Sequence, residues 1–172
     1  QGEVDMLEET YLKIISAKTA ELFAASTKVG AILSNMKNKE KEALEFYGRN
    51  LGLTFQIADD TLDYNSELKL FGKKIGQDFY EGKVTLPIIL LFQKANKEER
   101  DKLKDIFSKD VRSENELVYT LSLIKKYNVI KGCYQKAEHY INLASNSLSL
   151  FNDCEEKSIL ENLTSFSLAR NF

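Results

Sequence analysis

Proline and histidine each occur once in this sequence of 172 residues, and tryptophan is missing. Because proline and glycine interrupt regular structure, one proline and eight glycines over this length favour long helices. The longest apolar run, 86–92, falls well short of the roughly 18 residues of a membrane span. The two cysteines, Cys133 and Cys154, lie far apart without metal-ligand spacing. We expect them to be free thiols in a reducing cytoplasm.

Charge and composition exclude further classes. The net charge is −2 and no basic cluster is interleaved with aromatic residues, so a nucleic-acid partner is not expected. Nothing at the start of the sequence has the pattern of a secretory leader, which agrees with a cytoplasmic protein. A hydrophobic fraction of 43% and a charged fraction of 29% are typical of a globular domain. We expect one domain over 1–172.

Apolar periodicity predicts an all-α fold. The first helix is apolar on most faces, which is typical of a helix packed among others. Stretch 67–85 has no sustained period and contains three glycines, so we predict a long loop that can contain a short turn of helix. Long loops are often functional. No segment alternates with period two. The predicted helices are 10–34, 39–65, 87–95, 98–107, 114–127, 129–151 and 155–170.

Three aspartates gather near the end of the second predicted helix. Asp59 and Asp63 are four residues apart and therefore share a side of the helix, with Asp60 beside them. No residue within one turn is basic, so nothing local neutralises them. Clustered carboxylates are hard-oxygen ligands that suit Mg²⁺. A solvated acidic helix end is the alternative, but three at this spacing favour a metal site.

Two polar positions on the predicted helices could face an anionic ligand. Lys18 lies among apolar neighbours, where an unpaired ammonium is costly. It could pair with Glu21, extend to water, or point at an anion, and Thr19 adds a hydroxyl beside it. Gln56, one turn before the aspartates, could orient a carboxylate or donate to phosphate.

The predicted loop adds charged residues just after the acidic helix. It contains Lys73, Asp78 and Lys83, with glycines beside both lysines that permit close approach to a phosphate. The spacing is not that of a Walker loop. A solvated basic loop is the usual explanation, and the position after the aspartates favours a diphosphate site instead.

In order and spacing, these blocks resemble the trans-type polyprenyl diphosphate synthases, most closely the octaprenyl type. The likeness spans essentially the whole chain and is weaker after the third helix. It is carried by Lys18-Thr19-Ala20, Tyr47-Gly48-Arg49-Asn50-Leu51-Gly52, Phe55-Gln56-Ile57-Ala58-Asp59-Asp60-Thr61-Leu62-Asp63-Tyr64, Gly72-Lys73-Lys74-Ile75-Gly76-Gln77-Asp78 and Glu81-Gly82-Lys83-Val84-Thr85-Leu86-Pro87.

The resemblance implies an isoprenoid-synthase-type helical bundle and assigns roles within it. It makes the aspartate trio the ligands of Mg²⁺ bridged to an allylic prenyl diphosphate, with Asp78 assisting the metal. It implies that three lysines contact the diphosphate and act as catalytic groups, namely Lys18, Lys73 and Lys83. It places Thr19 and Gln56 beside the substrate. The implied reaction is elongation with isopentenyl diphosphate.

The sequence departs from the family pattern in one respect. The family has two aspartate-rich motifs on facing helices, and the other aspartates here do not form a second one. The chain therefore resembles the C-terminal half, and we expect it to be inactive alone. A half bundle should expose apolar faces, the first helix among them, and so form a homo-oligomer or associate with an N-terminal half or a full synthase. A non-catalytic partner subunit or a decayed fragment is the alternative.

Overall fold

The computed structural model describes residues 8–65 and 75–169, without the side chains of 167–169. These residues form helices and no strand, which confirms the all-α prediction. The α-helices are α1 (Glu8–Ile15), α2 (Glu21–Leu33), α3 (Asn38–Leu62), α4 (Gln77–Glu81), α5 (Leu86–Lys94), α6 (Lys97–Ser108), α7 (Glu114–Lys126), α8 (Val129–Ser147) and α9 (Glu155–Ala169). A π-helical turn, Ser16–Ala20, joins α1 to α2, and a 3₁₀ turn, Leu148–Leu150, follows α8.

Local sequence explains where several helices begin and end. Asn96 and Glu99 form a reciprocal capping box at the start of α6, and Ser113 and Glu116 do the same for α7. Asn35, with φ 52°, ends α2 in the left-handed conformation. The Met36 N–H then donates to the carbonyl of Ala31 at 3.0 Å, as in a Schellman motif. The predicted helix 10–34 is thus present, interrupted by the π turn.

The chain groups into two compact units. The first unit comprises the described residues of 1–11 and 59–134. Its core centres on α5, in which every residue from Leu86 to Leu91 is buried. The ring of Phe107 meets those of Phe79 and Phe92 edge-on, with centroids 5.6 Å and 6.4 Å apart.

The second unit comprises the described residues of 12–58 and 135–172. Its core cluster is Tyr47, Leu51, Ile141, Ala144 and Leu148. Within it α3 lies close against α2, because a Cβ on Gly48 would collide with Thr27 and with the Phe23 backbone. The Thr27 hydroxyl reinforces this contact by donating to the carbonyl of Leu44 at 2.6 Å.

Burial of the first predicted helix differs from the sequence expectation. Side chains of Leu22 and Leu33 are 71% and 78% exposed, and Ile14, Val29 and Ile32 are also exposed. The helix is therefore not buried on most faces, and the expectation that an apolar face is exposed is confirmed. No described helix is both long enough and apolar enough to cross a membrane.

Candidate diphosphate and metal site

The three aspartates lie at the C-terminal end of α3, in the first unit. Asp59 is exposed, whereas Asp60 and Asp63 are 6% and 8% exposed. The helix ends at Leu62, three residues earlier than predicted, so Asp63 is the first residue beyond it. The trio thus contains one solvent-facing carboxylate and two buried ones, and burial of a carboxylate requires hydrogen-bond donors.

Tyr11 supplies one of those donors. Its hydroxyl donates to Oδ2 of Asp60 at 2.7 Å, and both side chains are buried. Burial and, after it, the negative charge of Asp60 raise the pKa of Tyr11 well above its ordinary value. The phenol therefore stays protonated and donates its hydrogen bond to Asp60. The sequence analysis did not single out Tyr11, although a buried phenol normally needs a polar partner.

Asp63 is held by backbone amides at the start of α4. Its Oδ1 accepts the N–H of Gln77 at 3.1 Å and its Oδ2 accepts the N–H of Asp78 at 2.8 Å. The N–H of Gly76 donates to the Asp63 main-chain carbonyl at 2.9 Å. Since the first N–H groups of a helix have no partner inside it, Asp63 caps α4 and so fixes where Asp78 lies.

Asp78, in the first turn of α4, forms an ion pair with Lys83, which follows the end of that helix. Lys83 Nζ lies 3.1 Å from Oδ1 of Asp78 and 2.6 Å from Oε2 of Glu81. The hydrogen bonds that Lys83 donates to Glu81 and, after it, to Asp78 raise the pKa of its ammonium. The ammonium is half exposed, so it stays charged beside the acidic cluster and accessible to an anionic ligand. Lys73, the other loop lysine of the prediction, lies outside the described residues.

Lys18 and Thr19 lie in the π turn, in the second unit. Single π turns within α-helices are frequent at functional sites. The Thr19 hydroxyl donates to Oε1 of Gln56 at 2.7 Å, which fixes the orientation of that amide. Thr19 and Gln56, which the resemblance places beside the substrate, are therefore in direct contact.

The structure narrows the alternatives for Lys18. Its side chain is exposed, so the ammonium extends to water, where it is accessible to an anionic ligand. Glu21, the partner considered for it, forms an ion pair with Arg49 instead. No ion pair among the described residues involves Lys18.

The carboxylate oxygens of the three aspartates are ligands that suit Mg²⁺, although they do not form a complete coordination shell. Among the described residues, no group of three or more His, Cys, Asp or Glu side chains is arranged to hold a metal ion. Mg²⁺ in phosphate sites is commonly bound through one or two carboxylates, with water and phosphate oxygens completing the shell. An exposed carboxylate, Asp59, next to the buried carboxylates of Asp60 and Asp63 fits that mode.

Comparison with known proteins gives the family. A family model described as Polyprenyl synthetase matches residues 1–124. This chain belongs to the polyprenyl synthetase family, which confirms the resemblance drawn from its motifs. The sequence is 33% identical over 170 residues to a short chain isoprenyl diphosphate synthase of Methanothermobacter thermautotrophicus, and the match covers 99% of this chain and 52% of the relative.

Solved structures show the same fold. A decaprenyl diphosphate synthase from Rhodobacter capsulatus matches with a TM-score of 0.92 at 31% identity, over 99% of this chain and 52% of that one. A polyprenyl synthase from Caulobacter crescentus, complexed with calcium and isoprenyl diphosphate, matches with a TM-score of 0.91 at 34% identity and the same coverage. The chain thus spans about half the length of the relatives it matches, and the predicted isoprenoid-synthase-type bundle is confirmed for that half.

Proposed function

We propose that this chain binds Mg²⁺ and the diphosphate of an allylic prenyl diphosphate through Asp59, Asp60 and Asp63, as one half of a cytoplasmic prenyltransferase site. The observation that carries the proposal is the set of hydrogen bonds that the two buried aspartates, Asp60 and Asp63, accept. The Tyr11 hydroxyl and the amides of α4 donate to Asp60 and Asp63. Donors of this kind favour the ionised carboxylate, the form that binds a metal.

The remaining side chains of the proposal act on the diphosphate itself. Lys83, held beside Asp78, would contact the diphosphate oxygens, and we propose the same role for Lys18 and Lys73, whose motifs resemble those of the family. Thr19 orients Gln56, which would lie beside the substrate. Bound Mg²⁺ would stabilise the negative charge that develops on the departing diphosphate. The lysines add to that stabilisation as fixed positive charges.

Elongation with isopentenyl diphosphate needs more than this half-site. The family resemblance requires a second aspartate-rich motif, which the aspartates of this sequence outside the trio do not supply. We therefore propose that the 172-residue chain binds the allylic diphosphate but does not extend it alone. Product formed from isopentenyl diphosphate by the purified chain would contradict this part.

Calorimetry tests the proposed binding directly. Geranyl diphosphate is titrated into the chain with Mg²⁺ and again with EDTA. We expect binding only with Mg²⁺, and loss of at least about tenfold in affinity for Asp59→Asn, since an exposed metal ligand is removed without disturbing the core. Asp101→Asn, an exposed aspartate on α6, is the matched control and should bind normally. Binding that persists in EDTA, or that survives Asp59→Asn, would refute the proposal.

The exposed apolar face of α2 favours a second, compatible function as an associating subunit. Leu22 and Leu33 project large apolar surfaces into solvent, and contiguous surfaces of this kind commonly mark protein interfaces. We propose that the chain forms a homo-oligomer or binds a complementing synthase half through this face. Light scattering should show a species larger than 19.7 kDa, and Leu22→Lys with Leu33→Lys should return it to monomer. A monomer before substitution would count against association.

A further inference from the structure

Arg112 is a buried cation that the sequence did not single out. It lies in the connection between α6 and α7 and is 7% exposed. Within the described part of the chain, no carboxylate lies within 4.0 Å of its guanidinium. A buried charge without a counter-ion is costly unless other polar groups compensate it. The groups around Arg112 therefore indicate what holds it there.

Those groups are backbone carbonyls at the ends of two helices. Nη2 donates to the carbonyl of Phe107, in the last turn of α6, at 2.7 Å. Nη1 makes a longer contact of 3.5 Å with the carbonyl of Tyr80, in the last turn of α4. Carbonyls of a last helical turn lack intrahelical partners and carry partial negative charge, so they compensate a cation. Arg112 thus bridges the C-terminal ends of α4 and α6.

The guanidinium also packs against the residue that ends α4. Gly82 adopts φ 73°, and a Cβ there would lie 2.7 Å from Nη2 and 2.8 Å from Nη1 of Arg112. The turn continues with two main-chain hydrogen bonds, from Gly82 N–H to the Phe79 carbonyl and from Lys83 N–H to the Asp78 carbonyl. Arg112 therefore contacts the turn from which Lys83 projects.

We infer that Arg112 is a positioning residue, which fixes the turn at Gly82 and thereby places Lys83 beside Asp78. A helix of five residues is too short to be stable by itself, so α4 depends on what holds its two ends. Asp63 holds the N-terminal end and Arg112 the C-terminal end. The consequence for ligand binding rests on the proposed function, because it requires that Lys83 contacts a diphosphate.

Amide hydrogen exchange tests the structural part without any ligand. Arg112→Met removes the charge and the donors at similar length. We expect exchange of the Gly82 and Lys83 amides to rise about tenfold, as for loss of a supporting hydrogen bond. The amides of Gln77 and Asp78, held by Asp63, should change far less. Arg112→Lys keeps a charged donor and should restore part of the protection at Gly82 and Lys83.

Arg100→Met, an exposed arginine on α6, is the matched control and should leave these amides unchanged. Equal acceleration at all four amides in Arg112→Met would mean general loosening and would overturn the inference, as would no acceleration at Gly82 and Lys83. Should Arg112→Met fail to fold, Arg112→Gln, which removes the charge and one arm of the guanidinium, takes its place in both measurements. Unchanged exchange of the Gly82 and Lys83 amides in that variant overturns the inference.

A double-mutant cycle tests whether Arg112 acts through Lys83. Affinity for geranyl diphosphate with Mg²⁺ is measured in Arg112→Met, Lys83→Ala and the double variant. We expect Arg112→Met to weaken binding several-fold in the native background and to have no further effect once Lys83 is alanine. An equal loss in both backgrounds would overturn the inference. If the unsubstituted chain binds no diphosphate, the proposed function fails, while hydrogen exchange still decides the role of Arg112.

Discussion

Gly52 of α3 and Ala20 of the π turn meet backbone to backbone: a Cβ on Gly52 would lie 2.7 Å from the Cα of Ala20. Ala20 is fully buried, and the atom that the Cβ would meet belongs to the backbone, which cannot rotate aside as a side chain can. The close approach places the π turn against α3 one helical turn before Gln56, the residue that Thr19 contacts.

Gly52→Ala should therefore destabilise the protein. Overpacking of a tight contact typically costs about 1–3 kcal/mol, which exceeds the gain in helix propensity of about 1 kcal/mol. Gly30→Ala is the matched control, because nothing lies within 4 Å of a Cβ at that position of α2, and it should be neutral or stabilising. Urea unfolding of both variants measures the difference. Equal stability of the two variants would show that the contact relaxes without strain.

Tyr11→Phe should lower the free energy of unfolding by about 1.5–3 kcal/mol, the usual range for a hydrogen bond to a charged group. The cause is loss of the hydroxyl that donates to the buried carboxylate of Asp60. Tyr80→Phe, at an exposed tyrosine, is the control for removing a phenolic hydroxyl and should have little effect. A Tyr11→Phe variant as stable as the unsubstituted protein would mean that Asp60 gains equivalent hydration.

Glu99 should contribute a pH-dependent part of the stability. Its carboxylate accepts hydrogen bonds from Lys126 and Tyr127 at 2.6 Å each, and these lower its pKa from 4.5 to about 2. A pKa that folding lowers stabilises the native state above the unfolded value and ceases to do so as pH falls through the folded value. The stability difference between the unsubstituted protein and Glu99→Gln should thus be full above pH 4.5 and vanish near pH 2.

Urea unfolding at successive pH values measures that difference. Glu98→Gln, at an exposed neighbour on α6, controls for the loss of one negative charge. A difference between the unsubstituted protein and Glu99→Gln that stays constant from pH 6 to pH 2 would contradict the assignment.

The two cysteines should differ sharply in reactivity. Cys133 is fully buried, and burial raises its thiol pKa to about 12, whereas Cys154 is exposed. Since the thiolate is the reacting form, iodoacetamide at pH 8 should label only Cys154 in the native protein and both residues in urea. Mass spectrometry counts the labels, and Cys154→Ser should remain unlabelled until it unfolds. Native labelling of Cys133 would show that its surroundings open readily.

Periodicity and end signals predicted most of the fold. Helix α5 begins at Leu86 beside the predicted start at Pro87, and α6 and α7 begin at Lys97 and Glu114, within one residue of their predicted starts. The five-residue α4 was included in a predicted loop, because so short a helix has no detectable period. The π turn was not predicted, because apolar residues on most faces of 10–34 conceal a local change of period.

The hydrogen bonds that hold the aspartates of the candidate site could not be predicted, because they join residues far apart in sequence. Tyr11 reaches Asp60 over 49 positions, and Asp63 accepts amides 14 and 15 positions later. The choice between the alternatives for Lys18 also needed the structure, since its apolar neighbours in sequence did not become neighbours on a buried face.

The π turn gives this chain one residue that a regular helix would not need. A π turn holds about one residue more than an α-helical turn. Because the extra residue bulges out of the helix, deleting one residue from Ser16–Ala20 would restore a regular helix while Leu12–Ile15 and α2 keep their faces. What would change is the path of the turn itself, and with it the contact between the Thr19 hydroxyl and Gln56. The extra residue therefore serves the contacts of the turn and not the two helices that flank it.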